Sequence, residues 1–364
     1  MSDPIEISVV IPAYNCKRTL KPVISNLIDQ SKPPDGMEII VIDDGSTDGS
    51  RDWLKQKSSE HPSLIKCFFQ KNRGASASRN FGIESATGKV ILFLDADIIP
   101  SSDLIQKHIL FHRKHPQAYI ALRGKTVEIK HSRNNEWIRP HPGTFKTRGV
   151  TKNDLPWIEF ITNNISLKSQ FLKDNRLLFN EIMFPGEDVE FGFRAKQCGL
   201  VIYFSDEAVG FHDHPLTLKN YLNKATMAGK SYALWYVNFP SLKNELEKFG
   251  IEHYYGFINT NRPIAFKLRQ YFKRIVINSV TAPLFLFLGN TVLQIGKSDK
   301  FFWFYKKVSD VNYRKAFRKK LKELQNNKID LLGDVVYNPF QTNNRRAVHF
   351  SKHLSKPSRS CSPA

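Results

Sequence analysis

The sequence predicts an α/β fold: a mainly parallel central sheet with flanking helices, followed by a helical, partly apolar C-terminal extension. Three observations carry this prediction. Short β-branched apolar runs alternate with amphipathic helical stretches from Ile5 to Leu94. The connections between them are short, which sets successive strands side by side with helices on both faces. The strands also end in polar or acidic segments, Pro12-Ala13-Tyr14-Asn15, Asp43-Asp44 and Asp95-Ala96-Asp97. Sheets of this kind bind ligands at that carboxyl rim.

Taken in order, IEISVVI (5–11) is a buried strand that stops at Pro12. Residues 18–30 form a helix with Leu20, Val23, Ile24, Leu27 and Ile28 on one face. MEIIVID (37–43) is the second strand, and DDGSTDGS turns the chain and opens a helix over 52–57. LIKCFF (64–69) is the third strand. GASASRNFGIESATG (74–88) is a helix with a glycine stop, and KVILFL is the fourth strand. After Asp97, Ser101 or Ser102 is expected to open the next helix.

Further on, AYIALRGKTVEI (118–129) and WIEFITNNISLK (157–168) read as strands. The long polar segment between them, punctuated by Gly and Pro, has the character of a lid or a disordered loop. FPGEDVEFGFRAKQCG (184–199) is a loop and then a helix ending at Gly199; LVIYFSD (200–206) is a strand, and 217–239 is helical. There is no internal repeat.

The charge is unusual. The chain has 54 Lys and Arg against 34 Asp and Glu, a formal net charge of +20. Residues 298–364 hold fifteen Lys or Arg and five Asp or Glu, half of the excess. Such a field favours anionic partners: nucleotides, nucleic acid or an acidic membrane surface. The four cysteines are far apart with no CxxC pair, which argues for a reducing compartment and against structural zinc. The N-terminus lacks the pattern of a signal peptide. Residues 275–296 carry no charge and reach the length of a bilayer span, yet contain Asn278, Pro283, Gly289, Asn290 and Gln294. Basic residues flank both ends, whereas a single span normally has a one-sided basic bias; symmetric flanks suit a segment that dips into one leaflet and returns, or a buried helix pair, with a true span the remaining alternative. Residues 341–364 have little apolar content and read as disordered.

Two acids one residue apart, Asp95 and Asp97, read first as a helix cap. Facing one pocket, they repel unless a cation lies between them. Mn²⁺ or Mg²⁺ bridging a carboxylate and a diphosphate would explain both their spacing and their place on the rim. His212 and His214 follow a strand that could return to the same rim, and either could complete a metal shell; imidazole suits Mn²⁺ better. Glu187 and Asp188 begin a helix, where acids complement the dipole, but either could also serve as a general base. Ala228-Gly229-Lys230-Ser231 mimics the end of a P-loop, but Lys224 stands where the first glycine belongs. No GxGxxG follows the first strand.

Four ordered stretches, VVIPAYN, VIDDGSTDGS, NRGASASRNFGIESATGKVILFLDAD and FPGEDVEFGFRAKQCG, resemble family 2 glycosyltransferases with the GT-A fold. The resemblance covers residues 5–215 and implies inverting transfer of a sugar from a nucleotide diphosphate sugar, with UDP favoured as the nucleotide. Carried over, it implies that Pro12 and Tyr14 line the base pocket, and that Asp44 accepts from the base with Asp43 beside it. Arg79 would face the donor phosphates, and Asp95, with Ala96 next to it, would lie at the ribose or sugar. Asp97 would hold the metal, helped by Asp95 and His212, and Asp188 would be the catalytic base with Glu187 near the acceptor. Processive members carry QxxRW. Here Gln341 is followed by Arg345 and Arg346 rather than Trp, so single-sugar transfer is expected.

The expected organisation is a glycosyltransferase domain over 1–240, a helical region over 241–335 with a membrane-contact candidate at 275–296, and a basic tail over 336–364. The expected partners are the donor, a glycan or lipid-linked acceptor and an acidic membrane surface on the cytoplasmic face, but not nucleic acid. A nucleotidyltransferase and a catalytically silent binding protein are the competing readings. The first should carry a basic Gly-rich signature near strand one, which PAYN is not, and intact Asp97, Asp188 and Arg79 speak against the second.

Overall fold

A computed structural model describes residues 5–30, 36–129, 153–183, 185–213, 218–238, 280–284, 286–288 and 298–326. The first half alternates as expected: β1 (Ile7–Ala13), α1 (Lys17–Asp29), β2 (Met37–Asp43), α2 (Ser50–Glu60), β3 (Ile65–Phe69), α3 (Ala75–Ser85) and β4 (Val90–Leu94). Next come β5 (Ile98–Pro100), α4 (Leu104–Lys114) and β6 (Ile120–Glu128). β7 (Asn164–Lys168), α5 (Ser169–Asp174), α6 (Glu187–Gln197), β8 (Val201–His212), α7 (Leu218–Asn238) and α8 (Ser298–Asn326) complete the described elements.

The strands form one sheet in the order β3-β2-β1-β4-β7-β6-β8-β5. β1 pairs in parallel with β2 and β4, β2 with β3, and β6 with β8. β7 runs antiparallel to β4 and β6, and β5 antiparallel to β8. The parallel half has apolar side chains on both faces because helices cover both. Val9 and Ile11 pack with Leu20, Val23, Ile24 and Leu27 of α1, while Val10 and Phe93 join Phe160, Phe179 and Phe191 on the other side. Each such buried side chain contributes about 1.5–3 kcal/mol of transfer free energy.

Several expectations need correction. Residues 157–168 are not one strand: Trp157–Glu159 is a 3-10 turn after Pro156, and pairing starts only at Asn164. Trp157 and Phe160 are both buried, in two different clusters. The strand begun by LVIYFSD continues to His212, and a register shift at Gly124/Lys125 accommodates the polar stretch Ser205-Asp206-Glu207. A Cβ on Gly124 would lie 2.4 Å from the Ala208 carbonyl oxygen, so only glycine fits at this bulge. Ile98–Pro100, which the sequence assigns to no element, is a short strand because it pairs with β8. The next helix starts at Leu104 with Asp103 at its N-cap position, so neither Asp95 nor Asp97 is a helix cap. The P-loop look-alike lies in the middle of α7. There Gly229 lets α8 approach closely, since a Cβ would meet the Tyr313 carbonyl oxygen at 2.3 Å.

The boundary expected near residue 240, the lid segment 130–152, His214 and the tail beyond 326 lie outside the described residues. Cys16, Cys67 and Cys198 are free thiols.

Candidate active site

The rim is built from strand ends tied to one another by polar contacts. Asp44 continues from β2 and its amide donates to the Ala13 carbonyl at 2.8 Å. Its buried carboxylate accepts from Gln70 Nε2 (2.7 Å) and from the amides of Arg73 (2.8 Å) and Gly74 (2.7 Å). Both oxygens are thus occupied by donors of the chain, and Asp44 shapes the loop before α3. Asp43, fully buried, accepts from Arg51 Nε and the Ser46 amide. Asn15, at φ 47°, accepts from the Thr47 amide through its side chain, while its own amide donates to Ser46 Oγ. These bonds hold the loops after β1 and β2 as one surface. Pro12 lies at the end of β1, and Tyr14 projects from this surface with half of its area open (52 %).

Behind the rim lies Arg79 of α3, which is 4 % exposed. Nη1 donates to Glu187 Oε1 at 2.8 Å and Nη2 to Asp95 Oδ1 at 2.9 Å. Its guanidinium also stands 5.7 Å from the Phe179 ring centre. Each terminal nitrogen is engaged by a carboxylate, so Arg79 bridges Asp95 and Glu187. Burial works against its charge, but Asp95, Glu187 and Asp188 outweigh it and raise its pKa. Sequence shows none of this, because Arg79 and Glu187 are 108 positions apart.

α6 begins after Gly186, whose φ of 108° favours glycine. Glu187 is buried, and its carboxylate accepts from both Arg79 and the Gly186 amide. Asp188 is partly open, and one oxygen accepts from the Val189 amide. Loss of water around Asp188, reinforced by the Glu187 charge and opposed by Arg79, raises its pKa to about 7. A carboxylate that takes up a proton near neutrality has the affinity a general base needs. Burial raises Asp95 as well, with Arg79 opposing and Asp97 adding to the rise. Ala96 is buried between the two acids.

Asp97 meets His212 by strand register. His212 is opposite Ile98 in β5 and Glu128 in β6. His212 Nε2 lies 3.3 Å from Asp97 Oδ2, and Nδ1 lies 2.9 Å from Glu128 Oε1. Burial disfavours the imidazolium, but hydrogen bonds to Asp97 and then Glu128 prevail and push the pKa up to about 10. A carboxylate and an imidazole facing each other, with the far nitrogen oriented by a second carboxylate, form a donor set that fits Mn²⁺ or Mg²⁺. Substrate oxygens would have to supply the rest of the shell, since among the described residues no group of three metal-type side chains stands ready. Glu128 had gone unrecognised. Its only signal in the sequence is its place at the end of a strand, which gains meaning once β6 is known to lie beside β8. The neighbouring Asp213 pairs with Arg18 at 3.2 Å.

A mixed sheet with flanking helices and acids gathered at its carboxyl rim has the architecture of the GT-A fold. Residues 8–169 match the family model described as "Glycosyl transferase family 2". The chain carries a family 2 glycosyltransferase domain over these residues. It is similar to "Uncharacterized glycosyltransferase YfnE" of Bacillus subtilis, 28% identical over 59% of this chain and 67% of the relative. Among solved structures it resembles a mannosyltransferase from Pyrobaculum calidifontis in complex with GDP-Man and Mn2+. That likeness has a TM-score of 0.58 at 16% identity and covers 88% of each chain. It also resembles Staphylococcus aureus TarS 1–349 in complex with UDP, with a TM-score of 0.51 at 17% identity over 88% of this chain and 92% of the other. At these identities the solved structures establish the fold.

Proposed function

We propose that this glycosyltransferase carries out metal-dependent, inverting, non-processive transfer of one sugar from a nucleoside diphosphate sugar to a hydroxyl of a glycan or lipid-linked glycan at a membrane surface. The observation that carries the reading is Asp188, a carboxylate with a pKa of about 7 at the mouth of the acid-lined rim. Asp188 takes the proton from the acceptor hydroxyl as its oxygen attacks the anomeric carbon from the face opposite the nucleotide. Glu187 and Arg79 hold Asp188 and Asp95 in one frame. Pro12 and Tyr14 offer the ring surface for the base, and Asp43 and Asp44 fix the loops that bound it. Asp97 and His212 hold Mn²⁺ or Mg²⁺, which when bound offsets the charge on the diphosphate leaving group. The neighbours that bind UDP and GDP-Man support a nucleoside diphosphate donor of either base.

The test is a donor screen with Mn²⁺ and Mg²⁺. Nucleoside diphosphate released with inversion at the anomeric carbon supports the reading. Pyrophosphate release would support the nucleotidyltransferase alternative, and binding without turnover a silent one.

A further inference from the structure

α8 carries a line of residues on one face at helical spacing: Val308, Val311, Lys315, Arg318, Lys319 and Lys322. The start of this line is covered. Val308 and Val311 pack against Ala282 and Leu286, which lie in the short helical stretches 282–284 and 286–288. The rest is exposed, as four cations on successive turns: Lys315, Arg318, Lys319 and Lys322. No Asp or Glu occurs between Val311 and Lys322 to neutralise them. The opposite side of α8 is anchored, with Tyr313 against Tyr232 and Phe317 against Tyr236 of α7.

The segment lying on this line has a second apolar side. Val280 is 84 % exposed, Leu284 56 %, Phe287 66 % and Leu288 39 %. Positions 280, 284, 287 and 288 share one helical face, while Ala282 and Leu286 take the face toward α8. An outward apolar face is therefore seated on a helix whose line continues as a cationic stripe. Among the described residues no helix is long and apolar enough to cross a membrane. An apolar ridge beside a row of cations is the pattern of an element that lies in the plane of an anionic bilayer surface.

We infer that Val280, Leu284, Phe287 and Leu288 enter the headgroup layer of an anionic membrane while Lys315, Arg318, Lys319 and Lys322 of α8 pair with its lipid phosphates. The inference rests on the proposed function in one respect: a lipid-linked acceptor would be reached from this surface. A second copy of the chain or a soluble polyanion would each satisfy only half of the pattern, one the apolar face and the other the cations.

The experiment is co-sedimentation of the full chain with vesicles of phosphatidylcholine alone or mixed with phosphatidylglycerol, at low and high salt. Each cation at an anionic surface contributes roughly fivefold to partitioning. Anionic vesicles should therefore be preferred by about tenfold or more, and added salt should erase the preference. The variant K315E/R318E/K319E/K322E should lose that preference. The variant L284S/F287S, with its charge unchanged, should lose binding to anionic vesicles by about tenfold or more. All six positions are exposed, so thermal midpoints and donor hydrolysis should stay at the wild-type level. Equal binding to both vesicle types, or binding that survives either variant, would overturn the inference. So would capture by polyphosphate that L284S/F287S leaves intact, or self-association that the same variant abolishes while vesicle binding is absent. Vesicle binding without nucleoside diphosphate release would leave this surface standing and remove the proposed function; the reverse result would do the opposite.

Discussion

Arg79 gathers three carboxylates around one buried cation, and the balance among them sets the chemistry of the site. Asp95 and Asp188 are both partly open, and Asp188 is the one proposed as the base. Replacing it with Asn should lower transfer by about 10²–10⁴-fold while donor affinity holds, measured by nucleoside diphosphate release and donor titration; loss of both would remove Asp188 from the role of base. The same group predicts a pH dependence. Its pKa is raised to about 7, and a base acts when deprotonated, so kcat/KM should climb as pH rises through about 7 and level off above it. A profile flat between pH 5 and 8 would contradict this. Glu128 makes a separate prediction. Without its carboxylate His212 loses the group that orients Nδ1, and Glu128→Gln should weaken Mn²⁺ binding about 10–100-fold in a direct titration of free Mn²⁺, with Glu128→Asp recovering part of it. Asp97, Asp188 and His212 stood out in the sequence as a pattern of residue types. Arg79 and Glu187 stood out as well, but Glu128 and the pairings Arg79–Glu187 and Glu128–His212 did not, because these are contacts between distant strands and helices that only the tertiary fold creates.

Among the elements, those in the first half were predicted to within a few residues, because apolar runs bounded by Pro, Gly and Asp report their own ends. The errors fall where an element depends on a neighbour. β5 has three residues and no periodicity, and is a strand only because β8 lies beside it. The interruption expected in β8 at Asp206 is absorbed by a bulge at Gly124, far away in sequence. The start of α6 shows what such dependence means for function. Gly186 has φ 108°, and a Cβ there would stand 3.0 Å from the Trp235 ring. Gly186→Ala should strain the turn by about 1–2 kcal/mol and shift Asp188. The expected result is a lower thermal midpoint and reduced kcat with little change in donor affinity. Unchanged kcat would show that the turn does not position the base.

At the scale of the whole molecule, the family-matched region 8–169 holds the proposed donor rim but not the proposed base. Asp188 and His212 come after it, and the helix that packs on the base-bearing turn comes later still. Trp235 of α7 joins Trp157, Met183 and Phe193 in one buried cluster. A chain ending after Asp213 retains every proposed catalytic and metal-holding residue, yet it strips this cluster of one of its two tryptophans. It should melt at a lower temperature and release little nucleoside diphosphate, whereas a chain that keeps α7 and α8 should not. Full activity in the shorter chain would show α7 to be dispensable.

The contact between Trp235 and Gly186 also bears on how such enzymes diversify. The indole touches the turn that carries the proposed base, 3.0 Å from where a Cβ on Gly186 would stand. On the proposed function, a new acceptor-handling module spliced on behind the donor half must arrive with a residue that fills the same notch, or the proposed base loses its seat.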